Sequence, residues 1–466
     1  MSTFVTDWPE AVAFFTNSDS PVTAETFFCI SDTQVIELIG EGFSGELARL
    51  TRAYSIRDQA FTVPTTPSPS RILYQAEYDE VNRTIVAVLA LRWIYNNDYA
   101  SFVGAQPEAI RLTRASFDWV RGRLADALSE PTDLHTLITL VLINDLGKDA
   151  QLATDYLSRT GKDVSTLNHD AILLRAAEAG MVPCLEKISS QQRKQIMASL
   201  EVGSEFNFGQ FAQAEDAPAC IARLQQTETD KHVFDLHFAE QLLDVSGAAG
   251  HMDWTCAKKL IEPILDAYRN VYGVALQVLA GQLEPQAARD VILMRRARKL
   301  EAKGFRQLST QEPSERALMR LLCLGGVVDL ETAELYGEVW DSFVSHERYG
   351  AGSLIHALNL GGSEAEPAVQ PTYMPALLAQ ALAGEGPGGG RSKTRVERRM
   401  ALESAMRYLD RVMSVDPGGL TGLSGKAIVV ERNVVDVVKG VMQSRQFRDD
   451  PSVLDAVDVP DAVVVL

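Results

Sequence analysis

The stretch HTLITLVLINDLGKDA, residues 135–150, restricts the fold more than any other part of the 466-residue chain. Its apolar run ends abruptly in Asn144-Asp145-Leu146-Gly147-Lys148-Asp149. A carboxylate at the end of a buried apolar helix is costly unless it is hydrogen-bonded or holds a cation. The pattern therefore predicts a buried helix over 134–144, capped by Thr132-Asp133, that delivers Asp145 to a polar partner. Asp145, Lys148 and Asp149 share one face if that helix continues.

The rest of the chain also reads as helical. Apolar residues recur at three- and four-residue spacing over 72–97 and 107–129, as in Ile110, Phe117, Val120, Leu124 and Leu128. Asp170–Gly180 predicts a short helix closed by Gly180, with Pro183 just beyond. His232–Val245 and Trp254–Leu279 are the strongest central helices, and Pro263 kinks the latter or marks its first turns. Helical patterning continues over 315–324 and 328–346. No fixed-period repeat or alternation of strands with helices is visible, which disfavours parallel α/β.

A Pro/Ser/Thr-rich loop over 56–70 and the stretch GEGPGGG at 384–390 divide the chain. These breaks predict an N-terminal segment 1–70, a helical catalytic domain 71–383, a linker 384–394, and a C-terminal helix with a Val-rich tail over 395–466. The expected fold is thus mainly α, a large helical domain with a small C-terminal appendage.

Apolar residues at 46% and charged residues at 23% are ordinary for a soluble globular chain. The net charge of −18 disfavours a DNA-coating protein and suits a cationic substrate. No apolar run reaches the roughly 18 residues a membrane span needs; Arg92 interrupts Ile85–Leu91. The N-terminus lacks the basic and apolar regions of a secretory signal. The five cysteines (29, 184, 220, 256 and 323) form no CxxC pair, so neither a disulfide framework nor a cysteine zinc site is indicated. A cytoplasmic protein with reduced thiols is expected.

Five of the seven histidines fall between 135 and 251. His169-Asp170 follows Asp145 by 24 residues. His237, Glu240, Gln241 and Asp244 form a polar stripe on one predicted helix, with His251 and Asp253 just past the turn SGAAGH. Asn207, Gln210 and Gln213 are spaced so that three amides can converge, next to Glu215 and Asp216.

The hexapeptide at 144–149 resembles the "HD-x-GK" signature of HD-domain phosphohydrolases, with Asn144 in place of the His. That resemblance implies an HD-like helical core. It also implies a divalent metal, with Asp145, His169, Asp170 and His237 as alternative ligands. The cation would lower the pKa of a bound water. His135 is the only earlier histidine, and ten residues along one helix turn it roughly 80° away from Asp145.

The longer stretches NDLGKD, NHDAILLRA, NFGQFAQAED, LLDVSGAAGHMDW and VQPTYMPAL together resemble a fungal family that includes the arginine-containing cyclodipeptide synthases. The resemblance runs from about residue 70 to 380. It implies that arginine and a second amino acid, both delivered as aminoacyl-tRNA esters, are joined and closed to a diketopiperazine, with no cofactor. The ester is already activated, and no GxxxxGK[ST] nucleotide site is present.

A guanidinium calls for a carboxylate fork, available from Asp145, Asp149, Asp170, Glu215 or Asp216. Asn144, Lys148, Asn207, Gln210, Gln213, Asp253 and Tyr373 complete the candidate substrate contacts. The attacking α-amine must lose a proton, a task for His169, His237 or His251 beside Asp145 and Asp170. An acyl intermediate would need Tyr373, Cys256 or Ser246. Arginyl-tRNA would dock on Lys258-Lys259, on Arg295-Arg296-Arg298-Lys299 or on Arg391–Arg399, the last two being denser. A non-catalytic helical scaffold is the remaining alternative.

Overall fold

The computed structural model describes residues 24–55, 64–225, 229–345, 351–363, 365–383, 393–414 and 428–465. Helix makes up 66% and strand 2%, so the chain is mainly α, with a small sheet near its C-terminus. The loop residues 56–63, the Gly-rich stretch 384–390 and Arg391 lie outside the described residues. Two compact units divide the chain: Met1–Ser204 with Gln226–Arg269, and Glu205–Gln225 with Asn270–Leu466. This division differs from the expected boundaries, since it falls within 71–383 and joins 395–466 to the preceding helices.

The first unit contains α1 (Asp79–Tyr95), α2 (Arg114–Ala127), α3 (Asp133–Ile143), α4 (Ala150–Thr160), α5 (His169–Glu178), α6 (Ser190–Gly203) and α7 (Lys231–Gly247). α7 packs against α1, α2, α3 and α6, so even its polar residues His237 and Glu240 are buried. Close approach of this helix to α1 depends on glycine. A Cβ on Gly247 would fall 2.3 Å from the Arg83 carbonyl oxygen, and one on Gly250 2.7 Å from that of Asn82. Arg92 is buried, donating to the carbonyls of Phe27 and Ile30 and pairing with Asp32. Among the described residues no helix is long and apolar enough to cross a membrane.

Several local expectations change. The expected helix over 72–97 is two, Pro69–Tyr74 and α1. Ile110 lies in a 3-10 turn before α2 and is exposed. Thr132 makes no side-chain cap, because its backbone is already helical. The Asp133 carboxylate instead accepts from the Glu130 N–H at 2.6 Å and from His232 Nε2 at 3.0 Å. The helix expected from Trp254 starts at Glu262, with Pro263 in its first turn, where a missing N–H costs nothing.

The second unit is built from α8 (Pro285–Glu301), α9 (Pro313–Leu324), α10 (Leu330–Ser345), α11 (Met374–Leu382) and α12 (Arg395–Met413). Their apolar faces form one core around Trp340, Tyr336 and Tyr408, to which α12 contributes Leu402, Met406 and Leu409. The Val-rich tail supplies two strands. β1 (Ala368–Gln370) pairs in parallel with β2 (Val429–Glu431), which pairs antiparallel with β3 (Val463–Val464).

Candidate functional site

α3 stops at Ile143, and a 3-10 turn over Leu146–Lys148 replaces the continuation that would align Asp145, Lys148 and Asp149. The turn keeps Asp145 and Lys148 together, with Nζ 2.7 Å from Oδ1. It sends Asp149 elsewhere: its carboxylate binds Arg49 and Arg52, at 3.2 and 2.6 Å, and caps α4 at the Gln151 N–H. Asp149 is therefore a structural anchor and leaves the candidate site.

Lys148 also donates to Glu80 at 3.1 Å, and Arg83 donates to the other oxygen of Glu80 at 2.7 Å. Arg83 is steadied by a bond to the Ala248 carbonyl at 2.8 Å, through the glycine contact of α7 with α1. Burial disfavours the Lys148 ammonium, but Asp145 and Glu80 outweigh it and hold its pKa above the usual lysine value. Lys148 is thus a fixed cation.

His169 opens α5, with its Nε2 3.9 Å from Asp145 and 3.5 Å from Asp170. Its ring is 28% exposed, which leaves it accessible to a substrate. Asp170 lies beside it in the first turn of α5, a favourable place for an acid.

α7 brings Glu240 and Asp244 to the same cluster. Burial, then the charge of Asp244, pushes the Glu240 carboxyl up to about 8, although hydrogen bonds from Gln241 and Asn144 oppose this. The Asn144 amide donates to Glu240 at 2.8 Å. In place of a metal-binding imidazole, position 144 thus carries an amide that binds the Glu240 carboxyl. Tyr54 and Tyr268 border the cluster. Their hydroxyls are raised by burial, with Asp145 and Asp170 adding to the effect at Tyr54 and Asp244 and Glu240 at Tyr268.

Other expected residues have a different role or lie elsewhere. His237 borders the cluster, with Nδ1 3.9 Å from Glu240, but it is buried, lies 3.1 Å from the Ser199 hydroxyl, and burial lowers its pKa to about 4. It is neutral and tied to α6. His251 sits half-buried in the turn after α7. Asp253 spends its carboxylate on Thr255 and Lys258. Among the described residues no group of three or more His, Cys, Asp and Glu side chains is arranged to hold a metal, so the alternative set Asp145, His169, Asp170 and His237 is not assembled. Ser246 is buried and donates to the Leu242 carbonyl, and burial raises the Cys256 thiol, so neither is an activated nucleophile.

Asn207, Gln210, Gln213, Glu215 and Tyr373 belong to the second unit. The three amides do not converge on one another. Asn207 caps the short helix Phe208–Ala212, Gln210 accepts from Gln370 at 3.1 Å, and Gln213 donates to the Gly209 carbonyl. Gln210, Gln213, Glu215 and Tyr373 nevertheless line one cavity of about 560 Å³.

Glu80, Arg83, Tyr54 and Tyr268 carry no motif and are not singled out by the sequence. The one available signal is the Glu80–Arg83 spacing of three at the start of an apolar helix.

The assembled cluster has five carboxyl groups (Glu80, Asp145, Asp170, Glu240, Asp244) around two fixed cations, Arg83 and Lys148. A surplus of carboxyls on a partly accessible surface attracts a cationic ligand. A family model described as "Family of unknown function (DUF6829)" matches residues 36–454. No curated protein and no solved structure matches the chain.

Proposed function

We propose that this chain, which belongs to the DUF6829 family, is a synthase that uses arginyl-tRNA and a second aminoacyl-tRNA to make an arginine-containing cyclic dipeptide. The observation that carries this reading is the carboxyl surplus around Asp145. An arginyl ester has a guanidinium and an α-ammonium but no free carboxylate, so it complements that surplus where free arginine would add a negative charge.

Asp170 and Asp244 are the accessible arms for the guanidinium, and Glu240 ionises fully once a cation neutralises its surroundings. His169 accepts a proton from the α-ammonium, held in place by Asp145 and Asp170. The freed amine attacks the ester carbonyl of the second aminoacyl-tRNA, forming an amide and releasing one tRNA. The second α-amine then attacks the remaining ester, closing the ring and releasing the other. Ser246 and Cys256 are unavailable as nucleophiles and Tyr373 lines the cavity of the second unit, so direct aminolysis is the simplest route.

Docking of tRNA requires accessible positive charge. Arg395, Arg398 and Arg399 are paired with Glu338, Glu331 and Glu403, so that helix is largely neutralised. Arg295, Arg298 and Lys299 line a groove of about 710 Å³, and Arg298 is exposed with no acidic partner among the described residues, which favours this surface.

Mass spectrometry of small molecules from a host expressing the chain, beside a host expressing Asp145→Ala, tests the proposal. It requires a new arginine-containing diketopiperazine that is absent from the mutant. A well-folded protein that yields no such product removes it.

A further inference from the structure

The second unit holds a cavity whose chemistry is distinct from the cluster around Asp145. Its volume is about 560 Å³, within the range of small-molecule sites. Two buried polar groups on its wall are left unsatisfied. Oε1 of Glu215 and the hydroxyl oxygen of Thr372 have no hydrogen-bond partner, though their residues are only 4% and 5% exposed. Leaving such groups unpaired costs about 1–3 kcal/mol each, and more for a charged one, so a partner from outside is strongly favoured.

The surroundings select the partner's sign. Glu215 lies with the buried carboxyls of Asp216 and Glu431; the buried guanidinium of Arg320 acts on both Glu215 and Asp216, and that of Arg289 on Asp216. Both arginines are also committed to the backbone: each donates to the Ala214 carbonyl, at 3.3 and 3.0 Å, and Arg320 also donates to the Glu215 carbonyl at 3.1 Å. Gln210, Gln213 and Tyr373 also line the cavity, beside an apolar patch of Leu324, Pro375 and Ala376.

We infer that this cavity is a binding site for a primary ammonium ion on a compact aliphatic body, with the ammonium on Glu215 and Thr372 and the apolar part against Leu324 and Ala376. Without a ligand, burial and then Asp216 hold the Glu215 carboxyl well above its ordinary range, although the Tyr373 backbone N–H pulls the other way. Binding of the ammonium therefore displaces the carboxyl proton to solvent. The inference is independent of the reaction assigned to the first unit.

Isothermal titration of the full chain with isopentylamine, beside isopentyl alcohol as its neutral counterpart, tests it. Saturable binding of the amine is expected, weakened roughly tenfold or more in Glu215→Gln and for the alcohol. Ala376→Phe, which fills the cavity from a half-buried position, is expected to abolish binding while leaving the thermal transition in place. No binding of the amine, equal binding of the alcohol, or undiminished binding in folded Glu215→Gln or Ala376→Phe would each overturn the inference.

Discussion

Gly147 and His169 meet backbone to backbone: a Cβ at Gly147 would fall 1.8 Å from the His169 carbonyl oxygen and 2.6 Å from its carbonyl carbon. The 3-10 turn that carries Asp145 and Lys148 is therefore seated directly on the start of α5. This contact sets the spacing of the His169 ring from Asp145. Gly147→Ala must push α5 away, since backbone cannot yield as a side-chain end would. The variant should lose about 1–3 kcal/mol of stability in urea titration, and its catalytic loss should exceed what that alone explains.

Lys148 is the cation on which Glu80 and Asp145 both depend. Lys148→Met strands the buried Asp145 carboxylate and leaves Glu80 with Arg83 alone, so a loss of about 3–5 kcal/mol is expected by urea unfolding. Adding Asp145→Asn to Lys148→Met should recover part of that loss. Recovery would show that the penalty comes from stranded charge rather than lost packing.

Two buried groups on α7 give opposite slopes to stability against pH. The His237 pKa is lowered to about 4, against an ordinary value near 6.5, so the unfolded chain binds the extra proton between those values. Its contribution is full above the ordinary value and is lost as pH falls towards about 4, on the order of 3 kcal/mol. Glu240 is raised to about 8, so the folded chain holds the extra proton and stability falls as pH rises through that value. Urea titrations across the pH range should show a maximum between the two. His237→Gln should flatten the acid limb and Glu240→Gln the alkaline one.

The two basic surfaces should differ in their response to charge reversal. Arg298→Glu should raise the KM for arginyl-tRNA by roughly three- to tenfold and reduce its salt dependence. Arg395→Glu should leave KM within about twofold, because that guanidinium is already neutralised by Glu338.

The sequence was informative where partners are close along the chain. The cost of ending an apolar helix in a carboxylate pointed to Asp145, and a spacing of three joined it to Lys148. The same local logic misplaced Asp149, because it assumed an unbroken helix and could not foresee Arg49 and Arg52, about a hundred residues upstream. His237 has a suitable position on the α7 stripe, but the rotation of that helix turns its ring to Ser199 and gives Glu240 to Asn144. Glu80 and Arg83 enter through glycine-mediated contact of α7 with α1, and no spacing rule encodes it. The helical class was legible because periodicity is local; the charge balance of the site was not, because it is assembled from four helices and a turn.

Incubation of the purified chain with arginyl-tRNA labelled in its arginine, together with a mixture of unlabelled aminoacyl-tRNAs, tests the proposed reaction at its core. The label should pass into a neutral-backbone cyclic dipeptide that still carries a guanidinium. Product should vanish with RNase, persist without ATP, and fall by roughly a hundredfold or more in Asp145→Asn or His169→Ala. If folded protein leaves the label on tRNA or releases it only as free arginine, the carboxyl cluster is not the arginine site of such a synthase.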